Sequence, residues 1–311
     1  MNQKAVLNAK TDSPRLWLSE LDNYADLPAQ LEQKMLELVG AAGSKAEQTT
    51  PSGAVRAASY HLGSGGQRVR ARLALSAALA LGLSRQDALC VAAAAELLHN
   101  ASLVHDDLQD RDKLRHGQKA VWVKFGVNVA VCAGDLMLSA AYASLCGMRN
   151  LQVLPALYKV VHEHVASAIA GQCADLSLDT SPVSDLESYK RVALAKSGAL
   201  LSLPLELALL ATGHSAWASS ARDAAEAFSV GYQVADDLAD VARDVNSGAL
   251  NIVLVLQNAG HCAKPYTEAC QFGLQHLDQA VVIASRLPHE SGALLMELSI
   301  KLRLSLLVKK D

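Results

Sequence analysis

Two short acidic clusters constrain this chain more than any other feature. Asp106-Asp107-Leu108-Gln109-Asp110 and Asp236-Asp237-Leu238-Ala239-Asp240 both read D-D-x-x-D, and both interrupt apolar, helix-like runs. Gathering carboxylates inside a helical protein is costly, because like charges repel and burial strips them of water. A chain that does so twice needs a counter-charge, and divalent cations supply one. On a helix, the first and last aspartates of each cluster share one face, about a turn apart. Ser102 or Leu103, then His99, continue that face backwards from Asp106. Gln233 shares the face of the second cluster, and Asp244 extends it. A single D-D-x-x-D is often only a solvated helix end. Two copies far apart in sequence, both flanked by apolar helix, point to joint metal binding. Aspartate oxygens suit Mg2+, which keeps waters and shares phosphate ligands, whereas structural zinc prefers Cys and His. The expected metal ligands are Asp106, Asp107, Asp110, Asp236, Asp237 and Asp240.

A chain of 311 residues with 51% hydrophobic content can bury a large core, and no repeat or Pro-rich linker divides it, so one domain over 1–311 is expected. Aromatic residues are only 4%, while Ala and Leu abound, which favours helix over sheet. A net charge of −3 implies no general attraction to nucleic acid. The first sixteen residues lack the apolar core of a secretory signal. Glu96, Pro204 and Glu206 break the longest apolar runs, so no membrane-spanning segment is expected. Six cysteines without a C-x-x-C pair read as reduced, mostly buried residues of a cytoplasmic protein. Periodicity predicts helices at about 68–82, 86–110, 128–148, 152–176, 185–212, 219–244, 264–287 and 290–308, with a loop over 41–53. Val121, Val123, Phe125, Val127, Val129 and Val131 alternate like a strand. A lone strand cannot satisfy its edges, so this segment is read as a loop entering a helix near Gly126.

At this point the residues resemble a family, the trans-polyprenyl diphosphate synthases of the isoprenoid synthase superfamily. Gly65-Gly66-Gln67-Arg68-Val69-Arg70 is similar to that family's G-G-K-R-x-R, and the run from His99 to Asp107 to the helix leading into its first aspartate motif. Leu114-Arg115-His116-Gly117 resembles L-R-R-G, Gly171-Gln172 with Asp175-Leu176 resembles G-Q-x-x-D-L, and Lys196-Ser197 the K-T pair. Gly231-Tyr232-Gln233 followed by Asp236-Asp237 resembles the second motif. The resemblance implies an all-α bundle around a deep central cavity, usually a homodimer. It implies Mg2+ between the two motifs, gripping the diphosphate of an allylic substrate that is extended with isopentenyl diphosphate. Asp106, Asp107, Asp110 and Asp236, with Lys196 and Gln233, become the expected catalytic set. Arg115 and Lys196 would contact the allylic diphosphate, and Gln233 the ionising carbon. Arg70 and His99 would contact the second diphosphate, with Gln67, Arg68, His116 and Gln172 completing the substrate-binding set.

The departures gather on one ligand. Gln67 replaces the family's lysine and His116 its second arginine, which weakens the charged grip on isopentenyl diphosphate. After Asp244 the chain runs directly through Ser247-Gly248-Ala249-Leu250-Asn251, so a lysine-bearing loop looks shortened or absent. Three readings follow: a polyprenyl synthase with an atypical acceptor site, an enzyme that ionises an allylic diphosphate without extending it (a terpene cyclase, or a prenyltransferase to another acceptor), or a non-catalytic partner subunit. Ser102 and Ala101, four and five residues before the first aspartate, are small and would leave the cavity floor open for a C20 or longer product, unless Met137, Tyr142 or Met148 closes it.

Overall fold

The computed structural model describes residues 26–40, 51–176, 183, 185–194, 198–247, 250–258 and 263–308. Thirteen α-helices follow one another among them: α1 (Leu27–Gly40), α2 (Gly53–Leu62), α3 (Val69–Ala80), α4 (Arg85–Gln109), α5 (Val121–Phe125), α6 (Val127–Leu145), α7 (Leu154–Leu176), α8 (Leu186–Ala193), α9 (Ala199–Ala211), α10 (Ala218–Ser247), α11 (Ile252–Asn258), α12 (Pro265–Ala284) and α13 (Ala293–Val308). Local chemistry sets several of their starts. Ser52 and Ser84 cap α2 and α4 by accepting the amides of Val55 and Asp87, Asp185 caps α8 through Ser188, and Pro265 opens α12.

The Ala-rich helix α4 forms the centre. Almost every side chain from Asp87 to Leu98 is buried, and α3, α6 and α9 pack directly on it. The run Ala92 to Ala95 lets those neighbours come close. A second layer follows from α9 to α10, α12 and α13. There two glycines set the spacing of α10 and α12. A Cβ on Gly231 would come within 2.5 Å of Leu277, and one on Gly273 within 2.8 Å of Val234. Glu206, one of the residues that breaks the apolar pattern of α9, is a buried tie between helices. His164 of α7 approaches it to 2.9 Å and Arg222 of α10 to 2.6 Å. Burial works against its charge, yet these two partners hold its carboxyl down at about 2.

Several expectations need correction. The segment 121–125 is a short helix rather than a loop; Gly126, at φ +91, breaks it from α6. The expected helix 185–212 is two helices, α8 and α9. Helices α1 and α2 were not foreseen, and the expected loop lies for residues 41–50 outside the described residues. The all-α bundle also carries a two-residue hairpin, β1 (Leu114–Arg115) against β2 (Gln118–Lys119), with Arg115 opposite Gln118. Its turn is His116-Gly117, both at positive φ (50° and 76°), as a type I′ turn requires. Two helices do reach membrane-spanning length and apolarity. In α4 78% of that window is buried, which marks a core helix, while in α6 it is 39% because an apolar face points outward. Among the five described cysteines, Cys132 of α6, Cys146 just beyond it and Cys173 of α7 are exposed, so they are not mostly buried; Cys90 and Cys270 are buried, and all five are free.

Replacing Gly231 or Gly273 by Ala should lower stability by a net of roughly 1–2 kcal/mol, overpacking outweighing the gain in helix propensity. Urea unfolding reads this directly, and an unchanged midpoint would show that α10 and α12 do not meet at these positions.

Candidate active site

The first acidic cluster sits at the C-terminal end of α4. Asp110 is the capping residue, and its amide donates to the carbonyl of Asp106 at 2.8 Å, which keeps the two residues one helical turn apart. This is the negative end of the helix dipole, the least favourable place for added carboxylates. The strain shows in Asp106, whose carboxyl is pushed up to about 6 by burial and then by Asp110. Asp107 lies about 100° further round the helix and is 1% exposed. There it meets the hairpin: Arg115 Nε donates to Asp107 Oδ1 at 2.9 Å and Nη2 donates to the same oxygen. Burial pushes the Asp107 carboxyl up against this pairing, and its Oδ2 is buried without a hydrogen-bond partner. Gln172 of α7 donates to Asp110 Oδ1 at 3.3 Å.

The second cluster lies within α10, well before its end, and its inner aspartate is an anchor. Asp237 is 3% exposed. Its Oδ1 accepts from Gln233 Nε2 at 2.7 Å, and its Oδ2 from the Tyr189 hydroxyl and the Ile252 amide, both at 2.8 Å. Asn251 donates from one amide nitrogen to the Asp237 carbonyl at 2.8 Å and to Asp244 Oδ2 at 2.9 Å. Burial pushes the Asp237 carboxyl up despite these donors, and burial with the Asp237 charge drives the Tyr189 phenol far above its ordinary value. The chain after Asp244 is therefore turned back and pinned to α10. Asp240 pairs with Arg243 at 2.7 Å.

A cationic group surrounds the start of α3. Arg68, at φ 48, reaches Glu32 of α1 (2.6 and 3.0 Å), the Leu62 carbonyl (2.6 Å) and Asn100 of α4 (3.4 Å). Its guanidinium is thus committed to holding α1, α2 and α4 together. Arg70, two residues on, keeps a buried Nε with no hydrogen-bond partner. Burial lowers it to about 10, while Glu96 of α4 and Tyr232 of α10 act the other way. His99 is held well below its ordinary value by burial and then by Arg70, His61, Arg115 and Arg68. His61, which no motif flagged, is lowered to about 4 by burial and by Arg115, Arg68 and His116. Gly66, at φ +122, has His116 Nε2 3.6 Å from where a Cβ would stand, which brings the glycine turn against the hairpin. Gln67 is exposed beside them.

His99 and His61 thus share the electrostatic neighbourhood of Arg68 and Arg115, with Arg70 beside His99 and His116 beside His61; Tyr189 and Asn251 stand at the second cluster, and Arg68 and Asp237 have internal partners. Ala101 is buried in the core at 2% exposure, and Ser102 donates to the His99 carbonyl at 2.8 Å. Lys196 and Ser197 lie outside the described residues, as do Gly248 and Ala249. The donor set fits a hard cation: two carboxylates one turn apart, one with a raised pKa, beside an orphaned carboxylate oxygen. Among the described residues no three His, Cys, Asp or Glu side chains close into a ready-made cage, so an ion here would complete its shell with water or phosphate oxygens.

The raised Asp106 carboxyl costs folding free energy once it must ionise. The penalty is absent below about pH 4, grows between 4 and 6 and is complete above 6. Asp106→Asn should therefore raise the melting temperature of metal-free protein at pH 7.5, with the gain fading towards pH 4, while Mn2+ binding is lost. Equal melting curves at both pH values would contradict the crowding.

The sequence profile described as polyprenyl synthetase matches residues 53–250, a span that holds the glycine turn, the hairpin and both acidic clusters. The chain is 30% identical over 199 residues to a short chain isoprenyl diphosphate synthase of Methanothermobacter thermautotrophicus (64% of this chain, 61% of that protein) and 32% identical over 199 residues to a geranylgeranyl diphosphate synthase of Mycobacterium tuberculosis (60% and 57%). The match therefore spans about three fifths of these relatives' length. The fold extends further: a geranylgeranyl pyrophosphate synthetase structure from Pyrococcus horikoshii superposes with a TM-score of 0.78 at 21% identity, covering 93% of this chain and 98% of that one, and that of Geoglobus acetivorans with 0.75 at 23% identity, covering 90% and 98%. With the same helical fold, and with the family profile resting on the segment that builds the site, the chain belongs to the polyprenyl synthetase family.

Proposed function

We propose that this protein is a Mg2+-dependent prenyltransferase that ionises an allylic diphosphate and adds isopentenyl diphosphate, giving a trans-polyprenyl diphosphate of C20 or longer. The observation that carries the reading is a pairing along α4. The cation-seeking carboxylates of Asp106 and Asp110 stand two and three turns, about 10 and 16 Å, beyond His99, which belongs to an anion-seeking group with Arg70. A diphosphate held through metal at the carboxylate mouth and a second one held in a basic pocket need this arrangement. The family's relatives named as geranylgeranyl and isoprenyl diphosphate synthases support it.

Asp106, Asp110, Asp236 and Asp240 are the residues that would hold Mg2+, with the free oxygen of Asp107 beside them. Bound metal supplies positive charge against which a diphosphate leaves. The protein's own groups do the rest. Arg115, fixed to Asp107 by the hairpin, presents a guanidinium that is charged at any working pH. Gln233 commits its amide nitrogen to Asp237, which leaves its carbonyl oxygen as the atom available to an electron-poor allylic carbon. Arg70 and neutral His99 offer donors to the second diphosphate. Met137 and Met148 are buried in the same core as Ala101, and Tyr142 packs against that core, so any of the three can close a cavity floor in this reading. A homodimer belongs to the same reading, supported by the outward apolar face of α6 with Val127 and Val131 exposed at 45% and 41%.

The acceptor side favours a second reading as well. Arg68 is committed to Glu32 and Leu62, and Gln67 and His116 carry no fixed charge, so an acceptor other than isopentenyl diphosphate is the competing assignment. A third reading, a non-catalytic partner subunit, shares the same coordinates.

One assay separates them. With Mg2+ and C10, C15 or C20 allylic diphosphates, diphosphate release should require isopentenyl diphosphate. Release without it would establish ionisation without extension, and activity only after mixing with a related subunit would establish a partner role. In the same assay the Gln67→Lys, His116→Arg double variant should lower the KM for isopentenyl diphosphate about tenfold, given that charge-assisted contacts are roughly twice as strong as neutral ones. An unchanged KM would place the acceptor elsewhere.

A further inference from the structure

Arg243 is a residue that neither the acidic motifs nor the basic pocket accounts for. It lies seven residues after Asp236 and three after Asp240 on α10, on the face that carries both carboxylates. Its Nη2 stands 2.7 Å from Asp240 Oδ2, and its Nε 3.6 Å from Asp244 Oδ1. The side chain is 70% exposed, whereas Asp240 is 32% and Asp244 10% exposed. Asp244 has a second hold in Asn251. Arg243 is therefore an exposed cation leaning on a carboxylate that the proposed reaction requires for a metal.

The contrast with Arg115 defines the role. Arg115 reaches Asp107 at 1% exposure from a rigid hairpin and offers two donors to one oxygen. Arg243 makes a solvent-exposed pair within one helix, a class of ion pair that contributes little and exchanges readily. A divalent cation approaching Asp240 competes for the same carboxylate and repels the guanidinium. A released Arg243 stays anchored one turn from Asp240, where its fork of donors matches phosphate oxygens.

We propose that Arg243 is an exchangeable counter-charge of the second acidic cluster. It holds the Asp240 carboxylate while no divalent cation is bound, and passes to the diphosphate once a cation takes that carboxylate. The inference rests on the prenyltransferase reading and assigns Arg243 a direct contact with the allylic diphosphate.

The test uses the full chain and two binding measurements that need no turnover. Free Mn2+ measured by electron paramagnetic resonance gives cation affinity without diphosphate. Calorimetry with inorganic pyrophosphate at saturating Mg2+ gives anion affinity. In Arg243→Ala, Mn2+ should bind about threefold tighter, the loss of a weak surface competitor, and pyrophosphate about tenfold weaker, the loss of a charge-assisted contact. Arg243→Lys should recover most of both. Shifts of the same sign in both measurements, or none, would overturn the exchange. Wild-type protein that binds neither Mn2+ nor pyrophosphate would sink the prenyltransferase reading with it, whereas wild-type binding that Arg243→Ala leaves unchanged would sink this inference alone.

Discussion

Unbalanced charge at the end of α4 is the constraint on which the rest of this molecule turns. Asp106 and Asp110 are stacked one turn apart at the negative pole of a buried helix, and the rise of the Asp106 carboxyl to about 6 records the cost. A protein selected only for stability would not keep this arrangement. It is tolerable because the surrounding core is large and because helix α4 is buried along nearly its whole apolar length. The hairpin contributes by bringing Arg115 to Asp107, which neutralises one charge of the cluster and leaves the other two.

Helical geometry explains why each motif carries a doubled aspartate. Positions four apart share a face, but the second aspartate of each pair lies about 100° round from the first. Asp107 and Asp237 thus turn away from the shared face and into neighbouring structure. Asp107 meets the hairpin, and Asp237 meets Tyr189 of α8 and the first amide of α11. The motif therefore divides two tasks between adjacent positions: in the proposed reading the outer aspartates would hold a cation, while the inner ones fix neighbouring elements. Removing the Asp237 carboxylate would leave Tyr189, Gln233 and Ile252 without an acceptor, so its loss would first be felt as misplacement of α11.

Most helices were legible because their apolar residues recur at a helical period over long stretches, as in 86–110 and 219–244. The failures have physical causes. Periodicity over 121–131 was contaminated by alternating valines, because α5 and α6 are each half-exposed and meet at Gly126. The hairpin is too short to leave any period, although His116-Gly117 is a usable turn signal. In the site, residue identity singled out the carboxylates but not their partners. Tyr189 lies 48 residues from Asp237, and no local pattern ties them. His61 has no motif of its own, and its place beside Arg68 and Arg115 follows from where α2 ends.

The two ends of the site are frustrated in opposite senses. At the end of α4 carboxylates crowd without enough positive charge. Two turns back, Arg70 keeps a buried Nε without an acceptor, and His61 and His99 are driven towards neutrality by burial and by the guanidiniums around them. Neither end can relieve the other directly, since Arg115 already bridges to Asp107 and Arg68 is fixed to Glu32. Among the described residues, each lacks a counter-charge. A divalent cation answers the first and a phosphate anion the second, and a metal-bound diphosphate carries both.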